Sequence, residues 1–330
     1  MRPTCMIVVA ATLSAQTWVR QESGTTAALR GISAVSSQVA WASGTKGTFL
    51  RTTDGGAHWA SASLPGAADL DFRDIHGVNE STAYLMSAGP GQVSRIYKTT
   101  DAGERWMLQA TNLDPKGFFD CMSFWDPTHG ILVGDAVEGR FSILTTSDGV
   151  SWQKRPGPKA NEGEAAFAAS GTCIFTRGTR EAWFGTGGVG GARVFHTTDG
   201  GDTWTVAKAP LRNDSANAGI FSVVFSDALH GVVVGGDYSK PEDSSANFAQ
   251  TADGGKTWTT LNGPAGYRSA VAYSALSRMW LTVGTSGSDH GVPDVWKSIP
   301  LEAVKLNAVS LVGDTGWAVG PQGAILKLVQ

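Results

Sequence analysis

Thr52-Thr53-Asp54-Gly55-Gly56-Ala57-His58-Trp59 is the first of five copies of an octet, Thr-x-Asp-x-Gly-x-x-Trp, that recurs along the chain. The other four copies, of which the second here is one residue short, are centred on Asp101, Asp148, Asp199 and Asp253. In each octet the Asp can accept hydrogen bonds from nearby backbone N–H groups, and the Gly can adopt positive φ without strain. Because extended segments flank every copy, we predict that each octet is a hairpin turn. Its Trp begins the return strand and fills space against the next repeat.

Two further predicted strands precede each octet, and the second of them runs into glycine, as in Val232-Val233-Val234-Gly235. Four strands in about 40–50 residues are typical of a propeller blade. The first strands of these units begin near residues 29, 72, 119, 171, 220, 267 and 306. The sequence therefore predicts an all-β protein, a seven-bladed β-propeller.

The last predicted blade ends at its third strand, near Leu328. The segment Thr17–Gln21 resembles the return strands of the other blades, and its Trp18 completes a set of seven return-strand tryptophans. The remaining six are Trp59, Trp106, Trp152, Trp204, Trp258 and Trp296. We therefore predict that the N-terminal strand pairs into the last blade and closes the ring, which removes two exposed sheet edges.

The composition excludes several classes of protein. Of the 330 residues, 42% are hydrophobic and only 17% are charged, which excludes a disordered chain. The net charge of −3 gives no basic excess for binding a nucleic acid backbone. No apolar run approaches the ~20 residues that span a bilayer. We expect a monomer without a transmembrane segment and without a nucleic acid partner.

The first 15 residues have the pattern of a secretory signal peptide. Arg2 precedes the apolar run Met6–Ala11, and small residues follow at Ser14-Ala15. The alternative is a buried β-strand. We predict a signal peptide at 1–15, a single propeller domain at 16–330, and a secreted or periplasmic location. Of the two cysteines that remain, Cys121 and Cys173, we favour two buried thiols over a disulfide.

Signatures of catalysis are sparse. Gly185–Gly190 satisfies the pattern GxGxxG, but an octet follows it, which indicates a loop between antiparallel strands and not a dinucleotide site. The six histidines form no pair with metal-ligand spacing, and no Gly-x-Ser-x-Gly is present. Residues 162–170 are the nearest approach to a helical pattern. We predict no catalytic residue, no metal and no cofactor.

The octet is identified as the Asp box, or BNR repeat. Seven such blades in a small chain with a signal-like start resemble the Ycf48-like photosystem II assembly factors over residues 17–330. The resemblance implies a non-catalytic scaffold that binds or assembles proteins. Asp boxes also occur in sialidases and other glycoside hydrolases, which gives the alternative function. A propeller-type oxidoreductase with an unrecognised cofactor is a further alternative.

The innermost strands supply the candidate binding residues, because they line the central channel. Arg30, Arg73 and Arg268 follow the first apolar residue of their strands, and Asp120 and Asn307 are at the same position in two other blades. Arg captures carboxylates through two hydrogen bonds. We predict that this collar binds an acidic peptide or another carboxylate of a protein partner. The alternative is an ordinary channel in which the arginines pair with Asp74 and Asp120.

Two other features compete with the collar as functional sites. Three long loops between second and third strands, 185–191, 237–247 and 285–294, are alternative binding elements. The five Asp-box carboxylates are spread around the ring and cannot converge on one substrate. We therefore assign them to fixing the turns.

Overall fold

The structure is a computed structural model that describes residues 16–301 and 304–329. The expected signal peptide lies outside the described residues. Within them the strands form seven antiparallel sheets, and the one helical element is a 3-10 turn at Gly91–Val93. The innermost strands of successive sheets contact one another around a ring, and the first sheet contacts the last. The predicted seven-bladed β-propeller is confirmed.

The blades are numbered along the chain, and their strands are given from the channel outward. Blade 1 comprises Leu29–Ala34, Ala40–Gly44, Thr48–Thr52 and Ala60–Ser63. Blade 2 comprises Phe72–Gly77, Ala83–Ser87, Arg95–Thr99 and Met107–Thr111. Blade 3 comprises Phe119–Phe124, Gly130–Val137, Arg140–Thr146 and Gln153–Arg155. Blade 4 comprises Ile174–Arg177, Glu181–Gly185, Arg193–Thr197 and Thr205–Lys208.

The remaining blades follow the same plan. Blade 5 comprises Ala218–Phe225, Gly231–Asp237, Phe248–Thr251 and Thr259–Thr260. Blade 6 comprises Ala270–Ser274, Met279–Gly284, Gly287–Val292 and Val295–Ser298. Blade 7 comprises Ala308–Val312, Thr315–Val319, Ile325–Val329 and, from the start of the described chain, Thr17–Gln21. Two short strands, Glu164–Ala165 and Gly187–Gly188, extend the sheet of blade 5 on its channel side.

The N-terminal strand closes the ring as predicted. Thr17 pairs with Val329, and the antiparallel register continues to Gln21, which pairs with Ile325. The indole of Trp18 donates a hydrogen bond to Ser288 Oγ of blade 6 at 3.1 Å. The strand therefore completes blade 7 and also contacts the preceding blade.

The hydrophobic core lies between the blades. Each of the seven clusters of buried residues combines side chains from two adjacent blades. The return-strand Trp packs in the cluster shared with the preceding blade, as Trp204 does between blades 3 and 4 and Trp258 between blades 4 and 5. The sequence predicted packing against the next repeat. This prediction is wrong, because the Trp packs against the preceding blade. Apolar burial between blades thus holds the ring together.

The Asp box forms the turn that the sequence predicts. In blade 1, Asp54 Oδ1 accepts hydrogen bonds from the Thr52 hydroxyl and from the His58 N–H, each at 2.9 Å. The Thr52 Oγ1 accepts in turn from the Gly56 N–H, and Gly56 has a φ of 84°. The His58 N–H, which stabilises the charged carboxylate, lowers the pKa of Asp54 to about 2.

The structure overturns three further expectations from the sequence. Cys121 and Cys173 form a disulfide between blade 3 and the start of blade 4, with Cα atoms 6.1 Å apart. Neighbouring innermost strands approach within the ~7 Å that a disulfide needs, so the two buried side chains meet. Residues 162–170 are not helical, and their regular part is the strand Glu164–Ala165. The loop expected at 285–294 is the third strand of blade 6, Gly287–Val292.

A glutamine joins the last blade to the first. Gln21 Oε1 accepts hydrogen bonds from the indoles of Trp59 in blade 1 and Trp317 in blade 7, each at 3.0 Å. Both tryptophans are buried, and an unpaired buried donor costs about 1–3 kcal/mol. We therefore expect Gln21→Leu to lower the free energy of unfolding by about 2–4 kcal/mol in urea denaturation. Gln38→Leu, at an exposed turn, is the control, and equal stability of the two variants contradicts this role.

Candidate functional site

Four of the innermost strands have a β-bulge near their N-terminal end, at one mouth of the channel. In four blades the pairing with the second strand skips one residue: Arg30, Arg73, Asp120 and Phe221. A bulged residue is left without a partner directly opposite and bends its strand. The repeated position found in the sequence is therefore a structural feature of the blades.

A cavity of about 400 Å³ lies at this mouth of the channel. It is lined by the collar-position residues of five blades, namely Arg30, Arg73, Phe221, Ser269 and Asn307. The structure thus brings together three of the sequence-predicted site residues: Arg30, Arg73 and Asn307. Larger depressions, of about 540, 510 and 470 Å³, lie around Ser23, Pro300 and Trp125. The mouth cavity is the one that collects equivalent residues from many blades.

Arg268 does not join the other two arginines. A Cβ on Gly44 would meet the Cα of Leu29 at 3.1 Å, and one on Gly284 would meet the Cα of Arg268 at 2.9 Å. Arg268 therefore takes the place of Leu29, and Ser269 takes the place of Arg30. The sequence analysis had placed Arg268 at the position of Arg30, and this register is wrong by one residue.

The side chain of Arg268 has a structural role. It is buried, and its Nε donates to Asp289 Oδ2 at 2.8 Å. Its Nη1 donates to Ser286 Oγ at 2.7 Å and to the Tyr267 carbonyl at 2.8 Å. These partners hold the guanidinium inside blade 6, away from the wall that Arg30 and Arg73 share.

Arg30 and Arg73 differ in their partners. Arg73 Nε donates to Asp71 Oδ2 at 2.8 Å, and the side chain is about a third exposed. The guanidinium of Arg30 has no hydrogen bond or ion pair among the described residues, and its Nε is buried. Burial and then the charge of Arg73 lower the pKa of Arg30. Two positive charges therefore face one cavity with a single neutralising partner between them.

Asn307 and Asp120 are held by the backbone. Asn307 Nδ2 donates to the Leu29 carbonyl at 2.7 Å, which fixes blade 7 to blade 1 beside Arg30. Asp120 is buried and accepts a hydrogen bond from the backbone of Ala168. Burial and then the charge of Asp135 raise the pKa of Asp120 well above its usual value. Asp120 does not line the cavity.

The segment between blades 3 and 4 crosses the channel and forms one wall of the cavity. Asp135 Oδ1 accepts from the Ala166 N–H at 3.0 Å, and Ser170 Oγ donates to the Ser269 carbonyl of blade 6 at 2.9 Å. Glu164 is buried and forms an ion pair with Arg193. These anchors place Phe167, Ala168 and Ala169 at the mouth. Sequence reasoning missed this wall, because its contacts join residues up to 99 positions apart.

Aromatic rings continue this wall from Phe167. Phe167 stacks on Phe221 with ring centroids 4.0 Å apart and planes 3° from parallel. Tyr238 and Tyr267 meet Phe221 edge to face, with centroids at 6.1 and 4.9 Å. Tyr238 comes from the loop after the second strand of blade 5, so one of the predicted long loops contributes to the site. The mouth therefore combines basic and aromatic side chains.

The Asp boxes lie at the other face of the ring. Each innermost strand begins at the mouth. The third-to-fourth-strand turn comes three strand crossings later, at the opposite face, beside the first-to-second-strand turn. The Gly55 N–H donates to the Gln38 carbonyl, and the Gly254 N–H to the Leu229 carbonyl, which shows this proximity. Asp54, Asp101, Asp148, Asp199 and Asp253 each accept a hydrogen bond from the Thr two residues earlier. Their position separates them from the cavity.

A buried carboxyl next to the mouth makes stability depend on pH. Burial raises the pKa of Asp74 to about 7, although the Met122 N–H donates to Oδ2 at 2.8 Å. In the unfolded chain the pKa of an Asp is about 3.9, so the folded state binds the extra proton between about pH 4 and 7. Stability from this group is therefore greatest at low pH and falls as pH rises through 7.

We expect the melting temperature to fall between about pH 5 and pH 8, and Asp74→Asn to reduce that fall. Burial also raises the pKa of Asp135, to about 6, and that of Asp120, whereas it lowers the pKa of His76 to about 4, which acts in the opposite direction. The quantity that tests Asp74 is therefore the difference in slope between Asp74→Asn and the wild type. Thermal unfolding monitored by circular dichroism at several pH values measures the effect. The exposed change Asp69→Asn is the control. If Asp74→Asn leaves the pH dependence of the melting temperature unchanged, the role given to Asp74 is contradicted.

Neither a cluster of metal-ligating side chains nor a membrane-spanning helix is present in the described part of the chain. In residues 16–301 and 304–329, no group of three or more His, Cys, Asp or Glu side chains is arranged to hold a metal ion. No helix in that part of the chain is long and apolar enough to cross a membrane.

The fold and the mouth define a class of protein: an Asp-box β-propeller with a basic and aromatic cavity at one end of its channel. Within that class the chain is similar to the Ycf48 proteins, although no family model matches it. It is 26% identical to the photosystem II assembly protein Ycf48 of Synechococcus sp. (strain JA-2-3B'a(2-13)), over 59% of this chain and 78% of that protein. It is also 26% identical to the photosystem II assembly lipoprotein Ycf48 of Synechococcus sp. (strain CC9902), over 51% and 58%.

Solved structures share the architecture. YCF48 bound to D1 peptide superposes with a TM-score of 0.68 at 16% identity, over 97% of this chain and 99% of that one. YCF48 from Cyanidioschyzon merolae gives 0.64 at 16%, over 94% and 98%. Virginiamycin B lyase from Staphylococcus aureus gives 0.71 at 13%, over 96% and 99%. Since a lyase superposes as well as a YCF48 protein, these superpositions show the fold and do not decide the function.

Proposed function

We propose that the protein is a non-catalytic scaffold that binds a protein partner and captures an acidic segment of that partner at the mouth of the channel. The observation that carries the proposal is the pair Arg30 and Arg73, which line one cavity while the guanidinium of Arg30 has no partner among the described residues. The two curated relatives are named as photosystem II assembly proteins, and one similar structure contains a D1 peptide. These names support a peptide-binding role.

The chemistry of the mouth favours a carboxylate. A guanidinium with a buried and unpaired N–H is costly, and a carboxylate oxygen is the acceptor that matches its geometry. Arg73 already uses its Nε on Asp71 and its Nη1 on the Ala168 carbonyl, at 3.4 Å, which leaves Nη2 to take part in a shared contact. Asn307 and Ser269 add neutral polar groups to the same cavity. An acidic side chain or a chain-terminal carboxylate satisfies both arginines at once.

We also propose that the protein is exported. The signal-like pattern at 1–15 supports this, and the disulfide between Cys121 and Cys173 is typical of an oxidising compartment. One relative is named a lipoprotein, which accords with export of that protein. Expression with the first 15 residues fused to a periplasmic reporter tests this proposal. A reporter that stays in the cytoplasm contradicts it.

Equilibrium binding tests the proposed capture. A fluorescein-labelled peptide with four Asp residues among Gly and Ser is titrated with protein, and its anisotropy is measured. We expect binding by the wild type and at least tenfold weaker binding by Arg30→Ala/Arg73→Ala. Arg20→Ala/Arg105→Ala changes the net charge equally at exposed positions away from the mouth and is the matched control. Equal affinity of the two variants contradicts the proposal.

A further inference from the structure

We propose that the mouth cavity recognises an aromatic side chain next to the captured carboxylate, so that its ligand is an acidic-aromatic pair in a peptide. This inference rests on the proposed function and specifies its ligand. Three observations carry it: the aromatic wall, an unpartnered tyrosine hydroxyl inside the cavity, and glycines that make room for one of the rings.

The aromatic wall is a set of four rings in mutual contact around Phe221. Phe167, Phe221, Tyr238 and Tyr267 line one continuous side of a cavity of about 400 Å³, and sites for small ligands have volumes of about 300–1,000 Å³. Half of Tyr238 is exposed, while Phe221 is buried. The wall thus extends from the solvent-exposed Tyr238 to the buried Phe221, and an apolar group can contact it on the way into the cavity.

Tyr267 places a polar atom in this wall. The residue is 4% exposed and lines the cavity. Its hydroxyl has no hydrogen-bond partner among the described residues, in contrast to the hydroxyl of Tyr238, which donates to Asn217 Oδ1 at 2.7 Å. This hydroxyl faces the cavity, where a ligand can supply a hydrogen-bond partner. Tyr267 interacts electrostatically with Arg30, so the free hydroxyl and the free guanidinium lie near each other. Together they can donate to one carboxylate.

The backbone is adapted to hold Phe167 in place. A Cβ on Gly187 would lie 2.2 Å from Cε2 of Phe167, and one on Gly219 would lie 3.1 Å from the same atom. The ring therefore sits over two glycines of the neighbouring strands. This explains one glycine of the GxGxxG-like run, which supports the cavity wall and does not bind a phosphate.

An aromatic ligand side chain suits this wall better than an aliphatic one. Ring pairs in edge-to-face or offset geometry gain free energy beyond the area that they bury. Guanidiniums also bind to ring faces, and those of Arg30 and Arg73 line the same cavity. A ring in the cavity contacts both aromatic carbon and positive charge. The carboxylate next to it then reaches Arg30 and Tyr267.

Matched peptides test the inference. Fluorescein-labelled octapeptides of Gly and Ser with capped ends carry a single Asp-Phe, Asp-Leu, Asp-Ala or Asn-Phe pair. We expect the wild-type protein to bind the Asp-Phe peptide at least tenfold more tightly than the Asp-Ala or Asn-Phe peptide, with the Asp-Leu peptide between them.

Variants of the wall separate its two parts. Phe167→Leu keeps an apolar side chain and is expected to reduce the preference for Asp-Phe over Asp-Leu to below twofold. Tyr267→Phe is expected to weaken the Asp-Phe peptide threefold to tenfold and to leave the Asn-Phe peptide unchanged. Tyr97→Phe, in blade 2, is the matched control, and a thermal melt of each variant confirms the fold.

The outcomes distinguish the inference from the proposed function. Equal affinity for the Asp-Phe and Asp-Ala peptides, with binding still lost in Arg30→Ala/Arg73→Ala, overturns the inference and leaves the proposed function standing. Binding that does not depend on the two arginines overturns both. A preference for Asp-Phe that Phe167→Leu does not reduce also overturns the inference, since the ring is then bound elsewhere.

Discussion

We expect a chain that lacks residues 1–22 to melt about 10 °C below a chain that lacks residues 1–15, because blade 7 then loses its outermost strand. The deletion removes the five backbone pairs from Thr17–Val329 to Gln21–Ile325. It also removes Trp18 from the cluster between blades 6 and 7, and leaves the indoles of Trp59 and Trp317 without their acceptor. Each of these losses costs about 1–3 kcal/mol.

Rescue in trans makes the closure test specific. A synthetic peptide of residues 16–22, added in excess to the shortened chain, is expected to raise the melting temperature, because it binds the folded state alone. A peptide of the same composition in scrambled order is the control. Differential scanning calorimetry measures all four samples. An unchanged melting temperature after deletion contradicts closure by this strand.

Reversal of charge at the mouth has the largest expected effect on binding. Arg30→Glu/Arg73→Glu replaces two attractive charges with two repulsive ones, and we expect the acidic peptide to bind at least 100-fold more weakly. Because exposed ion pairs are screened over about 8–10 Å, we also expect wild-type binding to weaken as salt rises from 50 to about 500 mM. Anisotropy titration measures both effects.

The control for this reversal is Arg20→Glu/Arg105→Glu, with the same change in net charge. Neither Arg30 nor Arg73 belongs to a core cluster, so both double variants are expected to melt within a few degrees of the wild type. A retained affinity in Arg30→Glu/Arg73→Glu contradicts the role of the mouth. It directs attention to the other predicted loops, of which 237–247 already supplies Tyr238.

The repeat made the fold predictable, because each Asp box fixes its own turn through contacts within one octet. Asp54 bonds only to residues two and four positions away, and such local chemistry can be read along the chain. Ring closure was predictable for the same reason, since Thr17–Gln21 repeats the pattern of a return strand. The number of blades follows from the seven first strands, since only five blades carry an Asp box.

The parts of the site that the sequence did not predict depend on contacts between distant residues. The disulfide depends on how closely the innermost strands of blades 3 and 4 approach each other. The wall at Phe167 depends on Asp135 and Ser269, which lie in other blades. Arg268 was assigned to the collar because an apolar residue, Tyr267, precedes it, whereas the contact of Gly284 sets the true register. A comparison of the glycine that ends each second strand could have found this shift.

Photo-crosslinking tests the central claim most directly, because it reports where an acidic peptide lies. The peptide carries a benzophenone beside its Asp residues, and mass spectrometry locates the crosslinked positions on the wild-type protein. The account predicts links to the mouth, at Ala168, Tyr238 or Thr285, which disappear in Arg30→Glu/Arg73→Glu. Links concentrated at the opposite face, around Asp54 or Asp199, would contradict it.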